Sequence, residues 1–224
     1  MRIQAKQLSK VYGSGENQVV ALNQADLDIH QGDFISIMGP SGSGKSTLLH
    51  LLSGLDRPTS GSLTYDGKEI YTLPDKELSA FRRRKIGFIF QQFNLLPVLT
   101  ARENILMPLL LDKKQPDEGY LNRLSELLGI KDRLSHLPHE LSGGQQQRVA
   151  IARSLIARPE VIFADEPTGN LDSRSGGEVM EMLKGIREEM GKTLVIITHD
   201  SRIAEMAQRK LTIMDGVLSE VNGI

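Results

Sequence analysis

The 224 residues contain no cysteine and no tryptophan, and aromatic side chains make up only 4% of them. Without cysteine there is no disulfide framework, no thiolate metal site and no cysteine nucleophile, a composition compatible with a reducing compartment. An excess of one charge is missing too: 27 basic and 28 acidic residues leave a net charge of -1. Bulk electrostatics therefore give no support to nucleic-acid binding, and no nucleic acid is expected as a partner. Long apolar runs are also lacking. Met1–Lys6 has no apolar core of the signal-peptide kind. The longest apolar stretches, Val161–Ala164 and Leu194–Ile197, are strand-sized, far short of the roughly 20 residues that cross a bilayer. The chain is expected to be soluble by itself, with any membrane role supplied by a partner.

Hydrophobic residues at 39% and charged residues at 25% are ordinary for a globular protein, and the length can bury a full core. Segments 2–12 and 19–29 alternate apolar and polar residues as strands do, with Gly13–Asn17 as turn material between them. A short apolar strand, 34–38, runs into a glycine-rich loop, and helical spacing follows over 45–53 until Gly54–Gly61 breaks it. A charged helix at 75–83 precedes a strand at 85–90. From 92 to 140 the pattern becomes helices separated by Pro97, Pro108, Pro116 and Pro138. Alternation then resumes: helix 143–157, strand 160–164, helix 173–190, strand 192–198, helix 201–207, strand 209–214. Apolar strands alternating with helices imply an α/β fold with a mainly parallel sheet. The expected layout is one domain over 1–224, with 1–91 and 141–224 as core and about 92–140 as a helical insert.

Gly39-Pro40-Ser41-Gly42-Ser43-Gly44-Lys45-Ser46 matches the phosphate-binding loop at every fixed position, between a strand and a helix as that chemistry requires. Glycines let successive N–H groups face phosphate oxygens, and the helix start adds its positive dipole end. Lys45 is expected to reach the terminal phosphates and Ser46 to ligate Mg²⁺. Gly39, Ser41, Gly42, Ser43, Gly44, Lys45, Ser46 and Thr47 make up the candidate nucleotide-binding segment. Asp165 and Glu166 follow the apolar strand, and ligands of such sheets gather at the carboxyl ends of strands. Asp165 suits the Mg²⁺ shell, and Glu166 suits polarising the attacking water. His199 stands just after another apolar strand, at its carboxyl end; it reads either as a hydrogen-bond donor to the terminal phosphate or as a surface residue. Leu141-Ser142-Gly143-Gly144-Gln145 opens a strongly helical segment, with Ser142 as a natural cap and two glycines allowing close approach of an anion. Two anion-binding helix starts but one triphosphate motif on a single chain suggest a two-fold dimer, each Ser142–Gln145 segment completing the other copy's pocket.

Taken together these segments resemble the ATP-binding-cassette (ABC) ATPases, in that family's motif order and over essentially the whole chain. The resemblance implies a P-loop NTPase fold of ABC type, with an N-terminal antiparallel β subdomain and a helical subdomain insert. It implies that Tyr12 stacks on adenine, that Gln91 senses Mg²⁺ and links to a transmembrane partner, and that Asp165 and Glu166 are the Mg²⁺-associated and catalytic acids. It further implies that Asn170-Leu171-Asp172 crosses a dimer interface and that His199 is the switch histidine. Phe90–Pro97 and Asp165–Asp172 resemble the subgroup of lipoprotein-release and macrolide-export ATPases (LolD and MacB types), whose partners are integral membrane permeases with few transmembrane helices. ATP and Mg²⁺ are then the expected cofactors, a second copy and a permease the expected partners, and the cytoplasmic face of the membrane the expected location. Within that resemblance the chain powers export or membrane extraction of a lipoprotein, antimicrobial peptide or macrolide-like substrate. The alternative is mechanotransmission, in which ATP drives an extracytoplasmic process and no cargo moves.

The basic run Arg82–Lys85 reads as a solvated helix end, and Met180, Met182, Leu183 and Ile186 as one packing stripe. His30, His50, His136 and His139 form no ligand-spaced set with acidic partners.

Overall fold

A computed structural model describes residues 1–221. In chain order the elements are β1 (Arg2–Tyr12), β2 (Val19–His30), β3 (Phe34–Met38), α1 (Lys45–Leu52), β4 (Ser60–Tyr65), β5 (Lys68–Glu69), α2 (Asp75–Lys85), β6 (Ile86–Ile89), α3 (Ala101–Leu111), α4 (Glu118–Leu127), α5 (Gly143–Leu155), β7 (Val161–Asp165), α6 (Ser173–Met190), β8 (Thr193–Ile197), α7 (Ser201–Glu205), β9 (Arg209–Met214) and β10 (Val217–Glu220). They divide between two compact units, Met1–Arg82 with Thr193–Ile224, and Arg83–Lys192.

The first unit holds an antiparallel sheet in the order β2-β1-β4-β5. Ile3 faces Ile29 on one neighbour and Tyr65 on the other, so its fully buried side chain belongs to an apolar cluster with Ile29, Leu63 and Tyr65. The register of β1 against β2 shifts after Ala5, where Gln7 and Gln24 adopt positive φ. A bulge of this kind sharpens the local twist. In the same unit β3 lies between β8 and β9, parallel to both, and β10 closes the hairpin with β9. β3 and β8 are buried on both faces and read as unbroken apolar runs for that reason.

In the second unit β6 and β7 pair in parallel, Ile86 opposite Val161 and Ile89 opposite Ala164. Here α5 is the central helix: Val149, Ala150, Ile151, Ala152 and Leu155 are all fully buried. Most expected elements form with ends within a few residues of their sequence bounds. The exceptions are β4, β5 and β10, which the sequence pattern did not suggest, and Pro108. That proline was expected to separate helices but lies inside α3. A proline there removes the N–H that would bond to the Asn104 carbonyl, at a typical cost of about 3 kcal/mol. The helix survives because Thr100 and Glu103 form a reciprocal capping box. Its inner face also buries Ile105, Leu106 and Leu109, each worth roughly 1.5–3 kcal/mol. The Asn104 side chain, 1% exposed, further ties the helix start down by donating to the carbonyls of Leu96, Leu99 and Thr100.

Candidate functional site

In the first unit the loop after β3 is shaped by close backbone approach. A Cβ on Gly39 would lie 2.2 Å from the Ile213 carbonyl oxygen, and one on Gly44 would lie 2.1 Å from that of Ala21. Gly44 also has φ +105, so glycine is required there twice over. Immediately after it α1 begins with no side-chain cap, leaving the first N–H groups of the helix for another acceptor. The Lys45 ammonium donates to the carbonyls of Gly39 at 2.9 Å and Pro40 at 2.8 Å. An ammonium has three N–H donors, so one remains for an anion. Ser46 is exposed at the helix start, and the Ser43 hydroxyl is buried with no hydrogen-bond partner among the described residues. A glycine-lined loop, an uncapped helix start and a lysine with a spare donor fit a triphosphate.

Tyr12 ends β1 and is 42% exposed. Its hydroxyl donates to Asp56 at 2.8 Å and is hydrogen-bonded by the Thr47 side chain, which follows the phosphate loop. The Lys10 ammonium sits 4.9 Å from the ring centroid and donates to the same Asp56 carboxylate at 2.8 Å. Burial, then the bond to Asp56, raises the phenol above its ordinary value. Burial alone would raise Asp56, but the bonds from Lys10, Tyr12 and the Arg57 N–H outweigh it and hold the carboxylate low. So the tyrosine is presented as a fixed, neutral ring. Lys10 and Asp56 are the supports that the sequence did not reveal; a charge 44 residues away leaves no local signal. His199, also in this unit, follows β8 and is exposed, with Asp200 capping α7 just after it.

The second unit carries the remaining candidate residues and brings several together. Asp165 is the last residue of β7, and Glu166 follows with φ +46, a left-handed conformation uncommon outside glycine. The Glu166 carbonyl accepts from the Gly169 N–H, closing a turn. A Cβ on Gly169 would lie 3.0 Å from Gln91 Nε2. Asn170 Nδ2 donates to the Gln91 carbonyl at 2.8 Å, so the segment after β6 lies directly against the turn after β7. Ser142 caps α5 through a reciprocal box with Gln145. A Cβ on Gly143 would meet Leu171 and Phe93, and one on Gly144 would meet Ser175. Asp172 caps α6, accepting from the N–H groups of Arg174 and Ser175 and from the Ser175 hydroxyl at 2.6 Å. That hydroxyl first, then the Ser175 N–H, pulls its carboxyl below the ordinary value. The 91–93, 142–147 and 165–175 segments thus form one packed cluster, with the starts of α5 and α6 side by side.

Two further residues hold this cluster. Gln147, fully buried on α5, donates from Nε2 to the Pro167 carbonyl at 2.7 Å. Arg153, at the other end of the same helix, donates to the Asn94 carbonyl at 2.6 Å and the Phe93 carbonyl at 2.8 Å. In sequence both are merely polar positions on an amphipathic helix. No group of three or more His, Cys, Asp or Glu side chains that could hold a metal ion occurs among the described residues.

A family model for ABC transporters matches residues 22–169. The lipoprotein-releasing system ATP-binding protein LolD of Geobacter metallireducens is 45% identical over 216 residues, 96% of each chain. The macrolide export ATP-binding/permease protein MacB of Bdellovibrio bacteriovorus is 46% identical over 216 residues, 96% of this chain but 33% of its own length. The ATP-binding cassette MJ0796 of Methanocaldococcus jannaschii, solved as a dimer in a post-hydrolysis state bound to ADP and Pi, superposes with a TM-score of 0.88. It is 44% identical, covering 99% of this chain and 100% of that one.

Proposed function

Because the chain belongs to the ABC transporter family and is an ATP-binding ATPase of it, we propose that two copies close around two ATP molecules. Their dimer powers export or membrane extraction of a lipoprotein, peptide or macrolide-like substrate through a separate transmembrane permease. The observation that carries this reading is the phosphate loop: Lys45 is braced by two loop carbonyls and keeps one donor for the nucleotide. Tyr12, fixed by Asp56, stacks on adenine; Gly39, Ser41, Gly42, Ser43, Gly44, Ser46 and Thr47 line the triphosphate. Ser46, Gln91 and Asp165 would hold Mg²⁺, which when bound neutralises the β- and γ-phosphate oxygens. Glu166 orients the attacking water and accepts its proton, while His199 donates a hydrogen bond to the γ-phosphate.

Ser142, Gly143, Gly144 and Gln145 of one copy face the γ-phosphate held by the other. The exposed Ser142 hydroxyl at an α-helix start supports that role, as does the dimer formed by the MJ0796 cassette. Asp172 stands at the same interface. Export is favoured by the LolD and MacB relatives. No helix among the described residues is long and apolar enough to cross a membrane; the chain reaches the cytoplasmic face of the membrane through its permease, with the 92–140 helical insert as the docking side.

The test is the mass of purified Glu166→Gln protein in solution with ATP and Mg²⁺. The expected result is an ATP-dependent shift from monomer to dimer that Lys45→Ala abolishes, with ATP bound but not turned over. Normal turnover by Glu166→Gln would remove Glu166 from its role. A dimer that forms without ATP, or persists in the Lys45→Ala control, would refute the nucleotide sandwich.

A further inference from the structure

The segment following Gln91 is strapped along α5 rather than left as a free connection. At its start Asn170 Nδ2 holds the Gln91 carbonyl. The Phe93 ring reaches the first turn of α5, where a Cβ on Gly143 would lie 3.7 Å from Phe93 Cζ. The far end is held by Arg153, whose guanidinium takes the carbonyls of Phe93 and Asn94 together. Asn94, whose carbonyl accepts from the arginine, adopts φ +50, a left-handed conformation. Arg153 lies ten residues after Gly143, which is about 15 Å along a helix. So the Phe93 ring and the long Arg153 side chain tie this short segment to both halves of α5.

The choice of arginine at this position is informative. Its guanidinium is partly buried, and burial lowers its pKa. No carboxylate pairs with it among the described residues. A partly buried cation without an acid is costly unless its donors are used, and both hydrogen bonds that Arg153 makes among the described residues go to main-chain carbonyls of this one segment. A side chain meant only to fill the space could be apolar. A two-pronged donor instead fixes the direction of two successive peptide groups, as the planar guanidinium fork does well.

We propose that Arg153 is a positioning residue for Gln91. By clamping the 93–94 peptides onto α5, it makes the placement of Gln91 and the placement of the Ser142–Gln145 helix start a single event. Gln147 makes the matching link from the same helix to Pro167, next to Glu166. One rigid helix therefore carries the signature segment at its start and holds the loops bearing Gln91 and Glu166 along its length. The inference deepens the proposed function and rests on its placement of Gln91 in the Mg²⁺ site.

The test compares wild type with Gln91→Ala, Arg153→Met, Arg153→Lys and the double Gln91→Ala/Arg153→Met, all as full chains. The readout is steady-state ATPase rate as a function of free Mg²⁺, with melting temperature measured alongside. Arg153→Met should raise the Mg²⁺ concentration for half-maximal rate roughly five-fold, within the range seen for mutations that alter coupling. Arg153→Lys, which keeps a cation but can serve fewer carbonyls, should fall between it and wild type. The double variant should be no worse than Gln91→Ala alone, because the two act through one element. An Arg153→Met protein with a lowered melting point but an unshifted Mg²⁺ requirement would overturn the proposal, as would additive effects in the double. If Arg153→Met does not fold, an unshifted Mg²⁺ requirement in Arg153→Lys overturns it equally. A wild-type Mg²⁺ requirement in Gln91→Ala would instead defeat the assignment of Gln91 itself, a distinguishable failure.

Discussion

Replacing Gly44 by alanine tests whether the phosphate loop is built by backbone approach or by composition. The new methyl would sit 2.1 Å from the Ala21 carbonyl oxygen, whereas ordinary non-bonded contact needs about 3.5 Å. Either β2 or the loop must move by more than about 1 Å, an overpacking that costs roughly 1–3 kcal/mol. The left-handed backbone of the residue adds about 1–2 kcal/mol for any side chain. The sum is about 2–5 kcal/mol. Gly42 is the control, since its φ is +77 but a Cβ there meets nothing within 4 Å, so Gly42→Ala pays only the backbone part, about 1–2 kcal/mol. At roughly 2–4 °C per kcal/mol for a chain of this size, the added overpacking should lower the melting point of Gly44→Ala by about 2–12 °C more than Gly42→Ala does. Thermal unfolding followed by circular dichroism reads the difference, and titration with a fluorescent ATP analogue should show Gly44→Ala losing at least about ten-fold in affinity as the loop shifts. A Gly44→Ala protein as stable as Gly42→Ala, binding nucleotide normally, would refute the steric reasoning.

Two other substitutions probe the supports. Asp56→Ala should free the Tyr12 hydroxyl and the Lys10 ammonium, and the lost pre-organisation should weaken ATP binding by about 3- to 10-fold; an unchanged affinity would remove Asp56 from the site. Asp112 is held at about 2, against an ordinary 3.8, chiefly by its bond from Arg84, with Lys114 adding to it. A depressed carboxyl contributes its stability above the unfolded-state value and loses it as pH falls through the folded one. The gap in urea midpoint between wild type and Asp112→Asn should therefore be constant above pH 4 and close between pH 4 and 2; a gap that widens with acid would show the sign to be wrong.

The strands buried on both faces, such as Phe34–Met38 and Thr193–Ile197, were legible because continuous apolar runs have one stable solution in a parallel sheet. Ser60–Tyr65 was not, because only Leu63 and Tyr65 of it are buried, too few to set a period. Val217–Glu220 escaped for the same reason: it buries none of its residues fully and owes its extended form to pairing with β9. Pro108 misled because local propensity argues against a helix interior, and tertiary burial of its neighbours overrides that. At the site, the residues of the phosphate loop and the Ser142 cap were visible, since their chemistry depends on spacing along the chain. Asp56, Gln147 and Arg153 were invisible because each acts on a segment at least 20 residues away, and a single sequence carries no trace of such pairings.

Lys45 spends two of its three donors on the carbonyls of its own loop. The cation is thereby solvated by the protein before any encounter, and the loop is wound around it. In the proposed role, capture of a triphosphate would strip water from one donor of the ammonium only, and would not wait for the loop to wind. Its on-rate would then be set by diffusion and orientation, and sequence changes around the loop would act mainly on the lifetime of the bound nucleotide.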